Sequence, residues 1–311
     1  MITEKDQRHQ SLITILGMHR SGTSLITHMM HASGLQIASD LMNADTHNPD
    51  GYWESVRLNQ ILEYRLAELH SRWHDWRPTS STPRSDQFVR RLKSYLLSEL
   101  SDFRSFVVKD PRLCLFVQDW MTATSELGIT PHYIIILRDP KDVCVSLAKR
   151  DGMPIDKASL LWMRHVKEAE LNTRGHARII LLFDEVVSSP LKCLDKIRQT
   201  WPVMNISDEA AALAATLVRE ELNRSSKGLL GEAHISWATR LYKVLSHPSQ
   251  PEPLSDLDEL YDEFEHWSGC FAPLLEALED KNRELQRNLA DVTAELNKAK
   301  WLLGDSILSS R

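Results

Sequence analysis

The chain has 311 residues, 42% of them hydrophobic and 26% charged, with a formal net charge of −6. This is the composition of an ordinary globular protein, with room for one large α/β domain and an appendage, or for two modest domains. The acidic excess argues against a general nucleic-acid binder, which needs basic surface for the phosphate backbone, so any anion site has to be local.

Met1–Gln10 is polar and charged, which is not how a signal peptide begins. The longest apolar runs, such as Tyr133–Leu137, fall far short of the roughly 20 residues that span a bilayer. Cys114, Cys144, Cys193 and Cys270 are widely spaced and form no CxxC pair, the pattern of reduced thiols. A cytoplasmic protein is expected.

Leu12–Leu16 is a short apolar run ending at Gly17, a buried strand feeding a turn. A helix follows over Thr23–Ala32, closed by Ser33 and Gly34. Three further runs, Ser105–Val108, Tyr133–Leu137 and Arg178–Phe183, read as parallel strands. Between and after them come the amphipathic stretches Phe88–Leu100, Leu113–Glu126, Ala158–Thr173 and Leu191–Thr200. Strands alternating with helices predict βαβ units, a parallel sheet covered on both faces, and ligands beyond the carboxyl ends of the strands.

His247–Pro253 carries three prolines in seven residues and reads as a linker, followed by an acidic helical piece over Leu254–Trp267. Leu275, Asn282, Leu289, Leu296 and Leu303 then share one heptad position, and Leu278, Leu285, Val292 and Ala299 share its partner. That apolar seam predicts a coiled coil, and Asn282 is the residue type that fixes register in parallel dimers. A single amphipathic helix folded back on the domain is the alternative. The expected division is a domain over 1–246, a connection over 247–270 and a coiled coil over 271–311, with homodimerisation through the last.

The most informative stretch is Gly17-Met18-His19-Arg20-Ser21-Gly22-Thr23-Ser24, between a strand and a helix. Backbone N–H groups there and the helix N-terminus form an anion cradle, to which the hydroxyls of Ser21, Thr23 and Ser24 add donors. The spacing approaches a nucleotide-binding G-x-x-x-x-G-K-[ST] loop, but Thr23 holds the lysine position and the cation is Arg20. Such a loop can hold a phosphate while being poorly built for magnesium-dependent phosphoryl transfer. Leu137-Arg138-Asp139-Pro140 ends a later strand, and Ser146 and Arg150 lie four residues apart on the next helix. Arg138 offers a fork for phosphate oxygens, and Pro140 suits a first helical turn.

These two segments resemble the phosphate motifs of PAPS-dependent sulfotransferases, PAPS being 3′-phosphoadenosine-5′-phosphosulfate. The arginine form of the first is similar to that of bacterial members and of the tyrosylprotein enzymes. The resemblance runs over about 12–228. It includes Lys109-Asp110-Pro111-Arg112, the strand segment Leu182–Val187 and, faintly, the basic stretch Arg224–Gly228. It implies a P-loop-like three-layer α/β fold with a central parallel sheet, followed by the C-terminal helical segment. It further implies a PAPS donor with no metal, held by His19, Arg20, Ser21, Gly22, Thr23, Ser24, Arg138, Ser146 and Arg150.

Arg20 is then expected to neutralise charge on the leaving phosphate, with Lys109 as a second cation. Glu54, in a Gly-Tyr-Trp-Glu segment similar to one in bacterial members, is the expected general base, with His19 and His47 as rivals. The acceptor is a hydroxyl or amine. Tyr52, Trp53, Trp73, His74, Asp75 and Trp76 favour a carbohydrate over a phenol, a lipid or a peptide. Two other readings stay open. One is a magnesium-dependent P-loop kinase using Asp110 or Asp184; the other is an inactive assembly module of the same fold.

Overall fold

A computed structural model describes residues 11–46, 48–77, 84–100, 105–218, 236–247 and 254–308. In chain order these form β1 (Ser11–Leu16), α1 (Thr23–Ala32), β2 (Gln36–Ile37), α2 (Val56–Glu68), α3 (Asp86–Leu100) and β3 (Ser105–Lys109). A 3-10 turn at Pro111–Phe116 leads into α4 (Val117–Glu126), β4 (Thr130–Leu137), α5 (Pro140–Asp151) and α6 (Ile155–Asn172). Then come β5 (Arg178–Leu182), α7 (Phe183–Ser188), α8 (Pro190–Thr200), α9 (Asp208–Ala215), α10 (Ser236–Ser246) and α11 (Leu254–Leu308).

All five strands are parallel, in the order β2-β3-β1-β4-β5. Strands covered on both faces read as nearly continuous apolar runs, which is why β1, β3, β4 and β5 are visible in the sequence. Alternation sorts their side chains onto the two faces. Ile13, Ile15, Val107, Ile134, Ile136, Ile179 and Leu181 pack with α1, α8 and α9 through Ile26, Met30, Leu194, Ile197 and Ala211. The opposite face meets α4 and α6. There the buried Trp120 donates its indole N–H to Thr14 Oγ1 at 2.9 Å.

The strand order reverses direction between β1 and β4: the chain leaves β1 toward β2 and leaves β4 toward β5. Open parallel sheets bind ligands in the crevice that this reversal leaves at the strand carboxyl ends. The segment expected as one helix over Leu113–Glu126 divides in two, because Asp110 caps a 3-10 turn opened by Pro111 before α4 begins. Phe183, expected at the end of a strand, instead opens α7.

The described chain separates into two units, Met1–Tyr261 and Asp262–Arg311. The second is helical through Leu308. Within it Leu275, Leu278, Leu285, Leu289, Val292 and Leu296 are exposed. The loop His247–Pro253, apart from His247, and Arg224–Gly228 lie outside the described residues, as does His47. Among the described residues no helix is long and apolar enough to cross a membrane.

Candidate active site

The loop after β1 bends back on itself, with Ser21 N donating to Met18 O at 3.1 Å. Arg20 and Gly22 both take positive φ, 69° and 93°, on either side of Ser21. Alternating hands of this kind turn successive N–H groups toward one side, the concavity that binds anions. Gly22 is also the N-cap of α1 and makes no side-chain cap, and the first turn holds no acidic residue. The orphan N–H groups of that turn, with the positive end of the helix dipole, therefore stay available to an anion. Ser21 is fully buried and its hydroxyl finds no partner among the described residues.

Glycine is required at Gly22 for a second reason. A Cβ there would stand against a Phe183 ring carbon, closer than real Cβ contacts come. Phe183 also receives Arg138, whose guanidinium carbon sits 4.4 Å from the ring centroid. One aromatic side chain at the start of α7 thus packs on the loop and on the expected second phosphate motif together.

That second motif works residue by residue. Arg138 leaves the end of β4, and Asp139 caps α5 by accepting from Lys141 N at 2.8 Å. Pro140 fills the first turn, where its missing N–H costs nothing. Arg138 Nη1 donates to the Arg20 carbonyl at 3.1 Å, and Trp162 of α6 donates to the Arg138 carbonyl at 3.2 Å. Among the described residues Arg138 Nε has no hydrogen bond; the Asp142 carboxylate stands 3.9 Å from it. From α5, Ser146 accepts from Arg20 Nε at 2.9 Å. Arg20, Arg138 and Arg150 are close enough that the last two, after burial, lower the Arg20 guanidinium below its ordinary value. Arg150 is ion-paired with Asp151 at 2.6 Å and Arg138 stands 3.9 Å from Asp142, so the cluster carries local counter-charge while its cations still repel one another.

Glu54 is buried and forms an ion pair with the buried Lys109, Oε1 to Nζ at 2.6 Å. Arg112 approaches the other carboxylate oxygen at 3.5 Å. Burial holds the Glu54 carboxyl above the usual range, Lys109 pulls it back, and Asp110 raises it further. Lys109 also donates to the Tyr52 carbonyl at 2.6 Å, and Ser24 Oγ donates to that same oxygen at 3.1 Å. The Tyr52 carbonyl therefore ties the loop after β1 to the Glu54–Lys109 pair. Trp53, at φ 59°, stacks on His28 of α1 with ring centroids 4.3 Å apart, holding this segment against the helix.

Asp110 accepts from Arg112 through N and Nη1, both at 2.9 Å, so its carboxylate is engaged. His19 lies against Trp73 at 4.6 Å between centroids, and Arg150 stands 5.5 Å from the Trp73 ring. Burial keeps His19 well below its ordinary value, and Arg112, His165 and Arg150 lower it further. Sequence reasoning missed Phe183 as a packing partner of the loop. It also missed His165, whose ring centroid is 6.2 Å from that of His19.

No family model matches the chain, and no curated protein matches it. Among solved structures it is similar to the sulfotransferase domain of the Synechococcus PCC 7002 olefin synthase, at 16% identity and a TM-score of 0.49, over 81% of this chain and 100% of that one. The sulfotransferase domain of the curacin biosynthetic pathway matches at 15% identity and a TM-score of 0.45, over 79% and 100%. A sugar kinase from Janibacter sp. HTCC2649 matches at 12% and 0.34, over 65% and 98%. At 16% identity or less, these are likenesses of fold.

Proposed function

We propose that this chain is a sulfotransferase that moves the sulfuryl group of PAPS to an acceptor hydroxyl or amine. The observation that carries the reading is the convergence of Arg20, Ser146 and Arg138 at the uncapped N-terminus of α1. The buried, unpartnered Ser21 hydroxyl and the orphan Arg138 Nε fit a phosphorylated guest. PAPS supplies an activated sulfuryl group on a phosphate leaving group, and the reaction needs no metal. In this reading His19, Arg20, Ser21, Gly22, Thr23 and Ser24 hold one phosphate, and Arg138, Ser146 and Arg150 the other.

Catalysis rests on charge and position. Arg20 and the loop amides place fixed positive potential where negative charge grows on the leaving oxygen, in a partly dry site where such dipoles act strongly. Glu54 takes the acceptor proton, and its raised pKa brings it nearer the working pH of a general base. Lys109 holds Glu54 in place and adds positive charge beside it. Asp110 is spent on Arg112, which leaves a magnesium-dependent kinase without its metal carboxylate at that position.

A carbohydrate acceptor is supported by Tyr52 and Trp53, in a segment tied to the loop through the Tyr52 carbonyl, and by Trp73, which packs on His19. Cytoplasmic residence is supported by the wide spacing of the cysteines. Homodimerisation is supported by the exposed heptad seam with Asn282 on it. The direct test is transfer of labelled sulfuryl from PAPS to a mixture of glycans in the presence of a chelator. Labelled product independent of magnesium is expected; ATP-dependent phosphorylation of the same mixture would overturn the reading.

A further inference from the structure

Arg164, on α6, is 1% exposed, one of the largest side chains enclosed in this fold. Its Nη1 donates to the backbone carbonyl of Asp75. Neither its Nε nor its Nη2 meets an acceptor among the described residues. Those two nitrogens form one edge of the guanidinium, the edge that gives two parallel hydrogen bonds to a carboxylate. The chain uses that edge nearby: Arg77 Nε and Nη2 hold the Asp75 carboxylate at 2.8 and 2.6 Å.

Because Arg77 and Ser71 occupy it, the Asp75 carboxylate is not a partner for Arg164. Glu168, the other acidic group acting on Arg164, is bonded to Lys167 and Asn172. Among the described residues the Nε and Nη2 edge of this buried cation therefore meets no acceptor, and Asp75 and Glu168 act on it through their charge alone. That is a costly arrangement for buried N–H donors unless a further acceptor completes it. Burial accordingly drags the Arg164 guanidinium down to about 10.

The neighbouring residue shows a second polar vacancy. His165 is fully buried, and its Nδ1 lies 2.9 Å from the Leu161 carbonyl, which can only accept. Nδ1 therefore carries the proton, and Nε2 presents a lone pair that meets no donor among the described residues. Its ring faces His19 of the phosphate loop, and His19 packs on Trp73, two residues before Asp75. His165 thus borders the loop, and Arg164 is joined through the Asp75 carbonyl to the segment that carries Trp73.

We propose that Arg164 receives a carboxylate carried by the acceptor, bound side-on through Nε and Nη2. A carboxylate fits better than a phosphate dianion, since the edge offers two parallel N–H groups and the negative charges of Asp75 and Glu168, both acting on this guanidinium, disfavour a doubly charged guest. That the guest is the acceptor rests on the sulfuryl-transfer reading; that it is a carboxylate rests on Arg164 alone.

The experiment titrates glucuronate and benzoate, with glucose and benzyl alcohol as neutral controls, into the whole chain with and without saturating 3′,5′-adenosine bisphosphate. Arg164→Met and Arg164→Lys are tested alongside. Thermal melts beside wild type establish that each variant folds, and Arg164→Lys keeps the buried charge where Arg164→Met also removes the bond to the Asp75 carbonyl. The expected result is single-site binding of at least one carboxylate, none of its neutral control, and a loss of about tenfold or more in both variants with bisphosphate affinity retained. Equal binding of carboxylate and neutral control, or unchanged carboxylate binding in Arg164→Met, overturns the proposal. If the bisphosphate fails to bind while the carboxylate still does, the donor reading falls and the Arg164 site stands.

Discussion

Arg20 Nε donates to Ser146 Oγ at 2.9 Å, a bond between residues 126 positions apart that joins the loop after β1 to the helix after β4. It places a residue expected at one phosphate against a residue expected at the other. Ser146 thereby orients the Arg20 guanidinium, and Arg138 fixes the backbone of the same residue from the opposite side. Ser146→Ala is expected to lower turnover about tenfold through Arg20 misorientation while leaving the fold intact. Steady-state rates beside a thermal melt check both parts.

Gly22→Ala drives a methyl group into Phe183 and holds an alanine at φ 93°. Overpacking of this kind costs about 1–3 kcal/mol, seen as a lowered melting temperature. Gly22→Ala combined with Phe183→Ala is expected to recover part of that loss, since the clash is with the ring, while the positive φ remains strained.

Glu54→Gln is expected to lower turnover by about two to four orders of magnitude with bisphosphate affinity unchanged, as removal of a general base should. Near-normal turnover would remove Glu54 from that role. Lys109→Met differs, because it leaves the buried Glu54 carboxylate without its closest partner. That change is expected to destabilise the fold by about 3–5 kcal/mol at neutral pH.

His165 is held down to about 3 in the folded chain against an ordinary value of 6.5, chiefly by burial and then by Arg164. Between those values the unfolded chain binds a proton that the folded chain refuses, so stability falls as pH drops from about 6.5 toward 3. The slope is at most about 1.4 kcal/mol per pH unit for one such group. His19, also lowered, acts in the same sense. Denaturant melts from pH 7 to pH 4 should show this slope, and His165→Gln should flatten it.

Leu285→Glu with Leu289→Glu tests the helical seam. Both residues are exposed on the C-terminal helix, so a solitary helix would tolerate the change. A paired helix is expected to fall apart to monomer in sedimentation equilibrium, with the melting temperature of Met1–Tyr261 unchanged.

Much of this was legible in the sequence, for identifiable reasons. The span expected for α1 matches Thr23–Ala32, and four strands were visible because doubly covered parallel strands are continuous apolar runs. β2, only two residues long, gives no such signal. α2 was not foreseen, although Ser55 caps it by accepting from Leu58 N. The Glu54–Lys109 pair joins residues 55 positions apart, a contact that local pattern cannot reveal. Arg164 and His165 were hidden differently: polar residues in an amphipathic stretch read as its solvent face, whereas α6 is buried around most of its circumference.

The central claim is that the crevice between β1 and β4 holds a nucleotide carrying both a 3′- and a 5′-phosphate. Calorimetric titration of 3′,5′-adenosine bisphosphate against wild type and Arg138→Ala, with ATP as comparison and magnesium present or absent, addresses it most directly. Magnesium-independent binding of the bisphosphate at about micromolar affinity is expected, weakened at least tenfold in Arg138→Ala. Binding of ATP only with magnesium, and none of the bisphosphate, would contradict it.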